Sequence, residues 1–243
     1  MNYVIIIAGG VGNRVGAAIP KQFVEVLGKP IIAYTMEHFQ NHPEIDVIEL
    51  VCVDGYQGHL QNIVDKYSIT KVLKIIKGGS EYERSIMNGV KGLNGIAKAD
   101  DVVMIHWAAS PFLSEEIISD NIRVCKEKGN AISASYSYLL YGSNDGDCAK
   151  RAINRESFMT LSAPQSFRYE AIVDFYNQVE EKKLFETIDE HHTTIFMAEL
   201  GIPLYFSKGS HTNIKITTKD DLDLFLGYVL AQKYKEEHSG YSI

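Results

Sequence analysis

The sequence predicts an α/β fold organised on a mostly parallel sheet, and three observations carry that prediction. Strand-length apolar runs recur at residues 4–8, 47–53, 72–76 and 101–105, nearly continuous in Val, Ile and Leu, as strands covered on both faces should be. Stretches with helical spacing at residues 30–41 and 57–66 separate the first three runs, and β-α-β-α-β order favours parallel pairing with right-handed crossovers. Two of the strand runs end in glycines, Gly9-Gly10 and Gly78-Gly79, at the sheet edge where open α/β folds bind ligands.

In chain order, the first strand stops at Gly9, Gly10 and Gly12. Without side chains there, backbone N–H groups can approach a polyphosphate, and the loop can take positive φ where it must curl. Arg14 and Lys21, the latter fixed behind Pro20, supply positive charge. The glycines alone fit an ordinary turn as well as a phosphate cradle. The loop is not a Walker A loop, which ends in Gly-Lys-Ser/Thr, and Val15 breaks the G-x-G-x-x-G fingerprint.

The helix at 30–41 presents Ile31, Tyr34, Thr35, Met36 and Phe39 as a mixed apolar face. After the second glycine pair, Ser80 to Ser85 reads as a polar helix start, with Ser85 a candidate N-cap. The fourth strand run leads into His106-Trp107-Ala108-Ala109-Ser110-Pro111-Phe112, and Ser114-Glu115-Glu116 caps the next helix with acids in its first turn. A strand is expected at 130–135. Residues 136–147 are rich in Tyr, Ser, Gly and Asn and lack helical period, which marks a functional or interface excursion. Helices follow at about 169–182 and 190–200, a strand at 204–206, and a terminal amphipathic helix from Thr218 with Asp220 and Asp221 to about residue 234. The tail from Glu236 is expected to fray. No repeat or linker divides the chain, so residues 1–243 are expected to form a single domain with an arm.

Composition narrows the function. A net charge of −7 argues against a broad nucleic-acid-binding surface while leaving room for a basic pocket. Cys52, Cys125 and Cys148 are far apart and odd in number, so neither a disulfide framework nor a structural zinc site is indicated. No apolar run approaches the roughly 20 residues that span a bilayer, and no basic stretch precedes the first strand. A cytoplasmic protein is expected, with no membrane partner.

Several separated segments agree in one order: Ala8 to Arg14, Pro20-Lys21-Gln22-Phe23, Gly78-Gly79 to Ser85 with Asn88-Gly89, His106 to Phe112, Pro164-Gln165-Ser166-Phe167, and Asn213-Ile214-Lys215-Ile216-Thr217. In that order the chain resembles the cytidylyltransferases that act on 2-C-methyl-D-erythritol 4-phosphate or ribitol 5-phosphate. The resemblance covers essentially the whole chain. It implies a Rossmann-like nucleotidyltransferase fold, with a mostly parallel twisted sheet, helices on both faces and a protruding dimerisation arm at about 136–160. It also implies a homodimer joined by that arm, CTP and a phosphorylated polyol as substrates, a CDP-polyol and pyrophosphate as products, and Mg²⁺ as cofactor. By motif position Arg14, Lys21 and Lys215 would be catalytic, meeting the charge of the phosphates and of the leaving pyrophosphate. Ala8, Gly9, Gly10, Gly12, Asn13, Gly79, Ser80, Ser85 and Ala108 would bind the nucleotide. Without the resemblance, Lys21 and Lys215 read more readily as solvated surface lysines, the commonest fate of a lysine.

The departures from the family pattern fall mostly in the acceptor half. Trp107 and Ser110 stand where the family usually has Asp and Arg, and Tyr82 where many relatives carry Arg. Leu139-Leu140 replaces an Asp-Thr pair, Ala163 a Thr before Pro164-Gln165, and Ile188 a Thr before Asp189. Such losses of polar contacts should weaken the usual acceptor strongly. The expectation is therefore an alditol phosphate, ribitol 5-phosphate or a related capsule or teichoic polymer precursor. The alternatives are methylerythritol phosphate itself and a non-catalytic nucleotide-binding paralogue. Trp107, Ser110, Arg155, Asp189 and His191 are the candidate acceptor contacts, with Tyr136, Tyr138, Tyr141 and His192 as further candidates to rebuild that pocket. Trp107 is either core packing or a lid, and His106 is oriented by its own hydrogen bonds. His191 and His192, read as adjacent helix positions about 100° apart, favour a structural or acceptor role over a shared metal ion. The metal ligands are unknown.

Overall fold

A computed structural model describes residues 1–10 and 19–238. Its elements in chain order are β1 (Asn2–Ala8), a short ribbon of β2 (Glu25–Val26) and β3 (Lys29–Pro30), α1 (Ile31–Asn41), β4 (Val47–Cys52), α2 (Gln57–Lys66), β5 (Val72–Lys77), α3 (Tyr82–Gly92), β6 (Val102–Trp107), α4 (Glu115–Lys128) and β7 (Asn130–Tyr136). The rest comprises β8 (Tyr141–Gly142), β9 (Ala152–Ile153), β10 (Met159–Arg168), α5 (Tyr169–Glu181), α6 (Leu184–Thr187), α7 (Thr193–Glu199), β11 (Phe206–Lys208) and α8 (Lys219–Glu237).

Seven strands form one sheet in the order β11-β7-β10-β6-β1-β4-β5. All neighbours are parallel except β10, which runs antiparallel to both β6 and β7. This is the mixed α/β, mostly parallel architecture that the recurring apolar runs predict. Alternation along β1 sorts the core into two layers, since successive strand residues face opposite sides. Val4, Ile6 and Ala8 pack with Ile32, Met36, Leu60 and Ile118 from α1, α2 and α4. Tyr3, Ile5 and Ile7 pack with Ile86, Val90, Ile172, Phe175 and Phe196 from α3, α5 and α7. Each large side chain buried this way stabilises the fold by roughly 1.5–3 kcal/mol. A third cluster, Ile31, Phe112, Ile216, Phe225 and Val229, fastens α8. Its start is closed by a capping box in which Thr218 and Asp221 exchange hydrogen bonds, and Ser114 accepts from Ile117 N to cap α4 as the sequence predicts.

Four stretches of the chain differ from what the sequence predicts. The sequence does not predict β10, the strand that joins the two halves of the sheet. Pro164 and the small polar residues around it carry no strand pattern, yet Pro164 lies in the register break between Ser162 and Gln165, where no ladder N–H is required of it. The strand expected at 204–206 forms two residues later, as Phe206–Lys208 beside β7. The helix expected at 190–200 starts only at Thr193, capped by the His192 side chain, so His191 and His192 precede the helix rather than lie on it. Residues 184–187 form an unforeseen helical turn. The arm leaves the sheet where the Tyr136–Met159 pair ends the β7–β10 ladder, and within it β8 and β9 form a small antiparallel ribbon.

Candidate active site

The chain adds strands outward on one side of β1 as β4 and β5, then returns to add β6 on the other side. The C-terminal strand ends around this reversal frame a crevice, as expected where strand order switches. Backbone hydrogen bonds hold the strand ends level: Val53 N to Ala8 O (3.1 Å), Gly78 N to Cys52 O (2.8 Å) and Ala108 N to Ile7 O (3.0 Å). The crevice has a volume of about 580 Å³, and among its lining residues are Gly9, Gly10, Lys21, Gly79, Ser80, Ser85, Trp107, Ala108 and Lys215. Nine of the expected site residues, drawn from segments far apart in the chain, thus converge. A second groove of about 520 Å³ lies between α1 and α8, away from the glycine-bearing strand ends.

One wall is backbone. A Cβ on Gly79 would fall 2.4 Å from Arg84 Cβ and 2.7 Å from the Arg84 carbonyl carbon, and one on Gly9 would fall 2.8 Å from Ser85 Oγ. These glycines serve close approach; neither is among the residues with positive φ, so the curl expected of the loop is not their role. Ser85 is also not the N-cap of α3. Glu81 holds that position, while Ser85, a turn later, donates to Glu81 O (2.9 Å) and accepts from Gly79 N (3.0 Å). Gln22, which sequence reasoning quoted only as part of a motif, shapes the first loop: its Nε2 donates to Ala8 O (2.7 Å) and Gly10 O (3.0 Å). Gly12, Asn13 and Arg14 lie outside the described residues.

Two cations enter from other elements. Lys21 begins a single 3-10 turn after Pro20, and its side chain lies under the cleft with the residue only 8% exposed, donating to Ile216 O at 2.6 Å. It is not a solvated surface lysine. Lys215 sits on the segment that Ile216 N ties to Ala109 O (2.8 Å) and Asn213 Nδ2 to Ala163 O (2.6 Å). Its Nζ lies 4.7 Å from the Trp107 ring centroid and 5.2 Å from that of Tyr82. At the mouth, Lys77 Nζ pairs with Asp54 Oδ2 at 2.8 Å, which holds the Asp54 carboxyl below its ordinary range. Sequence reasoning missed both residues, although each ends or follows a strand at the glycine-bearing edge.

The acceptor candidates separate. Trp107 lines the cleft. Ser110 is fully buried, and its carbonyl oxygen is 2.9 Å from His106 Nε2. That bond orients His106 as expected, and burial lowers its imidazole to about 4. His191 reaches the rim through Glu81, Nδ1 to Oε2 at 2.7 Å, and this bond raises its pKa. His192 stacks on Tyr82, with centroids 5.7 Å apart. Asp189 is exposed. Arg155 lies on the arm, where its Nη1 donates to Tyr138 O (3.1 Å), and is not among the cleft residues of its own chain.

The donor set does not suit a resident magnesium ion. The two carboxylates that line the cleft, Asp54 and Glu81, are engaged by Lys77 and His191, and among the described residues no group of three or more His, Cys, Asp or Glu side chains is placed to hold a metal.

Comparison with known proteins agrees with this geometry. The family model of 2-C-methyl-D-erythritol 4-phosphate cytidylyltransferase (IspD) matches residues 2–230. A ribitol-5-phosphate cytidylyltransferase of Lacticaseibacillus paracasei is 39% identical over 226 residues, covering 93% of this chain and 96% of the relative. A 2-C-methyl-D-erythritol 4-phosphate cytidylyltransferase of Clostridium botulinum is 37% identical over 224 residues, covering 92% and 95%. The solved 4-diphosphocytidyl-2C-methyl-D-erythritol synthase of Anaerococcus prevotii superposes with a TM-score of 0.76 at 23% identity, over 94% of this chain and 96% of that one, a likeness of fold. Among the described residues no helix is long and apolar enough to cross a membrane. With its sheet reversal, its glycine wall and nearly its whole length matched by one family model, the chain belongs to the 2-C-methyl-D-erythritol 4-phosphate cytidylyltransferase family.

Proposed function

We propose that this protein is a CTP-dependent cytidylyltransferase that transfers CMP to a phosphorylated polyol, with an alditol phosphate such as ribitol 5-phosphate as its preferred acceptor. The observation that carries the reading is the meeting of Lys21 and Lys215 with the Gly9 and Gly79 backbone in one cleft. A phosphate oxygen of the acceptor attacks the α-phosphorus of CTP in line; the new P–O bond forms as the bond to the β-phosphate breaks and pyrophosphate leaves. The acceptor phosphate is already ionised, so no side-chain base is needed. Negative charge gathers on the transferring phosphoryl group, and fixed cations lower the barrier. Lys21, Lys215 and Arg14 take that role in this reading.

Ala8, Gly9, Gly10, Gly12, Asn13, Gly79, Ser80, Ser85 and Ala108 hold the nucleotide; Trp107, Arg155, Asp189 and His191 are kept for the acceptor side, whereas Ser110, wholly buried and bonded through its backbone to Trp107 and His106, is not. Magnesium, implied by the family, would be held by the phosphates of CTP and by water rather than by side chains of this chain, and would supply positive charge to the phosphates. The chain works as one domain, and its arm joins two copies. Tyr136, Tyr138, Leu139, Leu140 and Phe158 are exposed large apolar residues on or beside that arm, a patch whose burial in a second copy would stabilise the pair.

The test is pyrophosphate release with CTP against a panel of alditol and aldose phosphates, together with Lys215→Ala. Turnover with ribitol 5-phosphate or a related alditol phosphate, abolished in Lys215→Ala, supports the reading. Turnover confined to methylerythritol phosphate, the substrate named for the Clostridium relative, replaces the acceptor; tight CTP binding without turnover on any acceptor overturns the enzyme.

A further inference from the structure

Two residues that depart from the family pattern touch each other. Trp107 closes β6 and Tyr82 opens α3, yet Trp107 Nε1 donates to Tyr82 Oη at 2.5 Å. The Lys215 ammonium lies over both rings, at 4.7 Å and 5.2 Å. We infer that Tyr82 and Trp107 form an aromatic clamp that fixes the Lys215 ammonium in the cleft, so that both are positioning residues for the transfer step. The inference rests on the function proposed above.

A lysine carries a point charge on a flexible four-carbon stem, and left to itself that charge samples many positions. The negative faces of two rings attract it without sharing a hydrogen bond that a phosphate oxygen needs. The indole-to-phenol hydrogen bond fixes the two rings relative to each other. His192 backs Tyr82 from outside, with an interplanar angle of 21°, and burial followed by the nearby Lys215 charge keeps its imidazole towards the neutral form.

Trp107 is the chain's single tryptophan, so in the folded protein its emission reports on the surroundings of this clamp. The first arm of the test compares emission of the intact protein with that of Lys215→Met, in buffer and with inorganic pyrophosphate added. Removing an ammonium from the ring face is expected to change the emission, and pyrophosphate is expected to change it only while Lys215 is present. The second arm measures pyrophosphate release in Trp107→Leu and Trp107→Phe. Leucine is expected to lower kcat about tenfold with KM for CTP altered less than about twofold, the signature of an interaction that acts in the transition state. Phenylalanine, which retains a ring face, recovers most of that loss. Identical emission in Lys215→Met, or a kcat in Trp107→Leu equal to that of the parent, overturns the clamp. Absence of turnover in the parent overturns the proposed function instead, and the emission comparison still decides the clamp.

Discussion

Removing the Glu83 carboxylate is expected to destabilise this protein more than most single substitutions, because three buried donors depend on it. Glu83 lies in the first turn of α3, immediately after Tyr82, and is fully buried. Its Oε1 accepts from Thr193 N (2.6 Å) and Thr193 Oγ1 (3.0 Å), and its Oε2 accepts from Tyr176 Oη (2.8 Å). Burial pushes the carboxyl upward, and the bonds from Tyr176 and Thr193 oppose that shift. In Glu83→Ala the three donors stay buried without an acceptor. At about 1–1.5 kcal/mol each, the loss is about 3–4.5 kcal/mol, partly offset by relief of the carboxylate's own desolvation. A net loss of about 3 kcal/mol is expected. Glu83→Gln keeps an acceptor for Thr193 N and is expected to cost about 1 kcal/mol. Urea unfolding followed by Trp107 emission measures both. A loss below about 1 kcal/mol in Glu83→Ala, or equal losses in the two variants, would show that this network does not anchor α3 to α5 and α7.

Two further outcomes follow from the same geometry. Gly9→Ala places a Cβ 2.8 Å from Ser85 Oγ, whereas the next Ser85 atom is Cβ at 3.5 Å, so the combination with Ser85→Ala should cost less than the sum of the single changes, by about 1 kcal/mol in a double-mutant cycle; additive losses would mean that the two loops do not meet. His106, lowered by burial to about 4, binds its proton more weakly in the folded chain than when unfolded. Its contribution is fully present above its ordinary value of 6.5 and is lost as pH falls through about 4, a difference of about 3 kcal/mol across that window. Stability measured from pH 7 to 4 should decline less steeply in His106→Gln, and parallel curves would contradict the burial argument.

The central elements were legible because local physics determines them. The apolar runs and helical spacings locate β1, β4, β5, β6, α1 and α2 within one or two residues, and Ser114 and Thr218 announce the starts of α4 and α8 through their own capping bonds. Strand β10 was not legible, since a proline and small polar residues form a strand there only because β6 and β7 supply ladders on both sides. Contact between His191 and Glu81, or between Tyr82 and Trp107, joins residues 110 and 25 positions apart, and no local pattern encodes such pairs.

By itself the sequence determined the parallel strands around β1, their glycine-bearing edge and the family, because period, glycine placement and motif order are properties of neighbouring residues and their succession. The tertiary structure decided what surrounds each charge. It buried Lys21 against Ile216 O, withdrew the Ser110 side chain from the cleft and set the Lys215 ammonium over two rings. Those outcomes depend on distance and burial between segments far apart in the chain, which appear only once the strands are in register and the helices have closed over them.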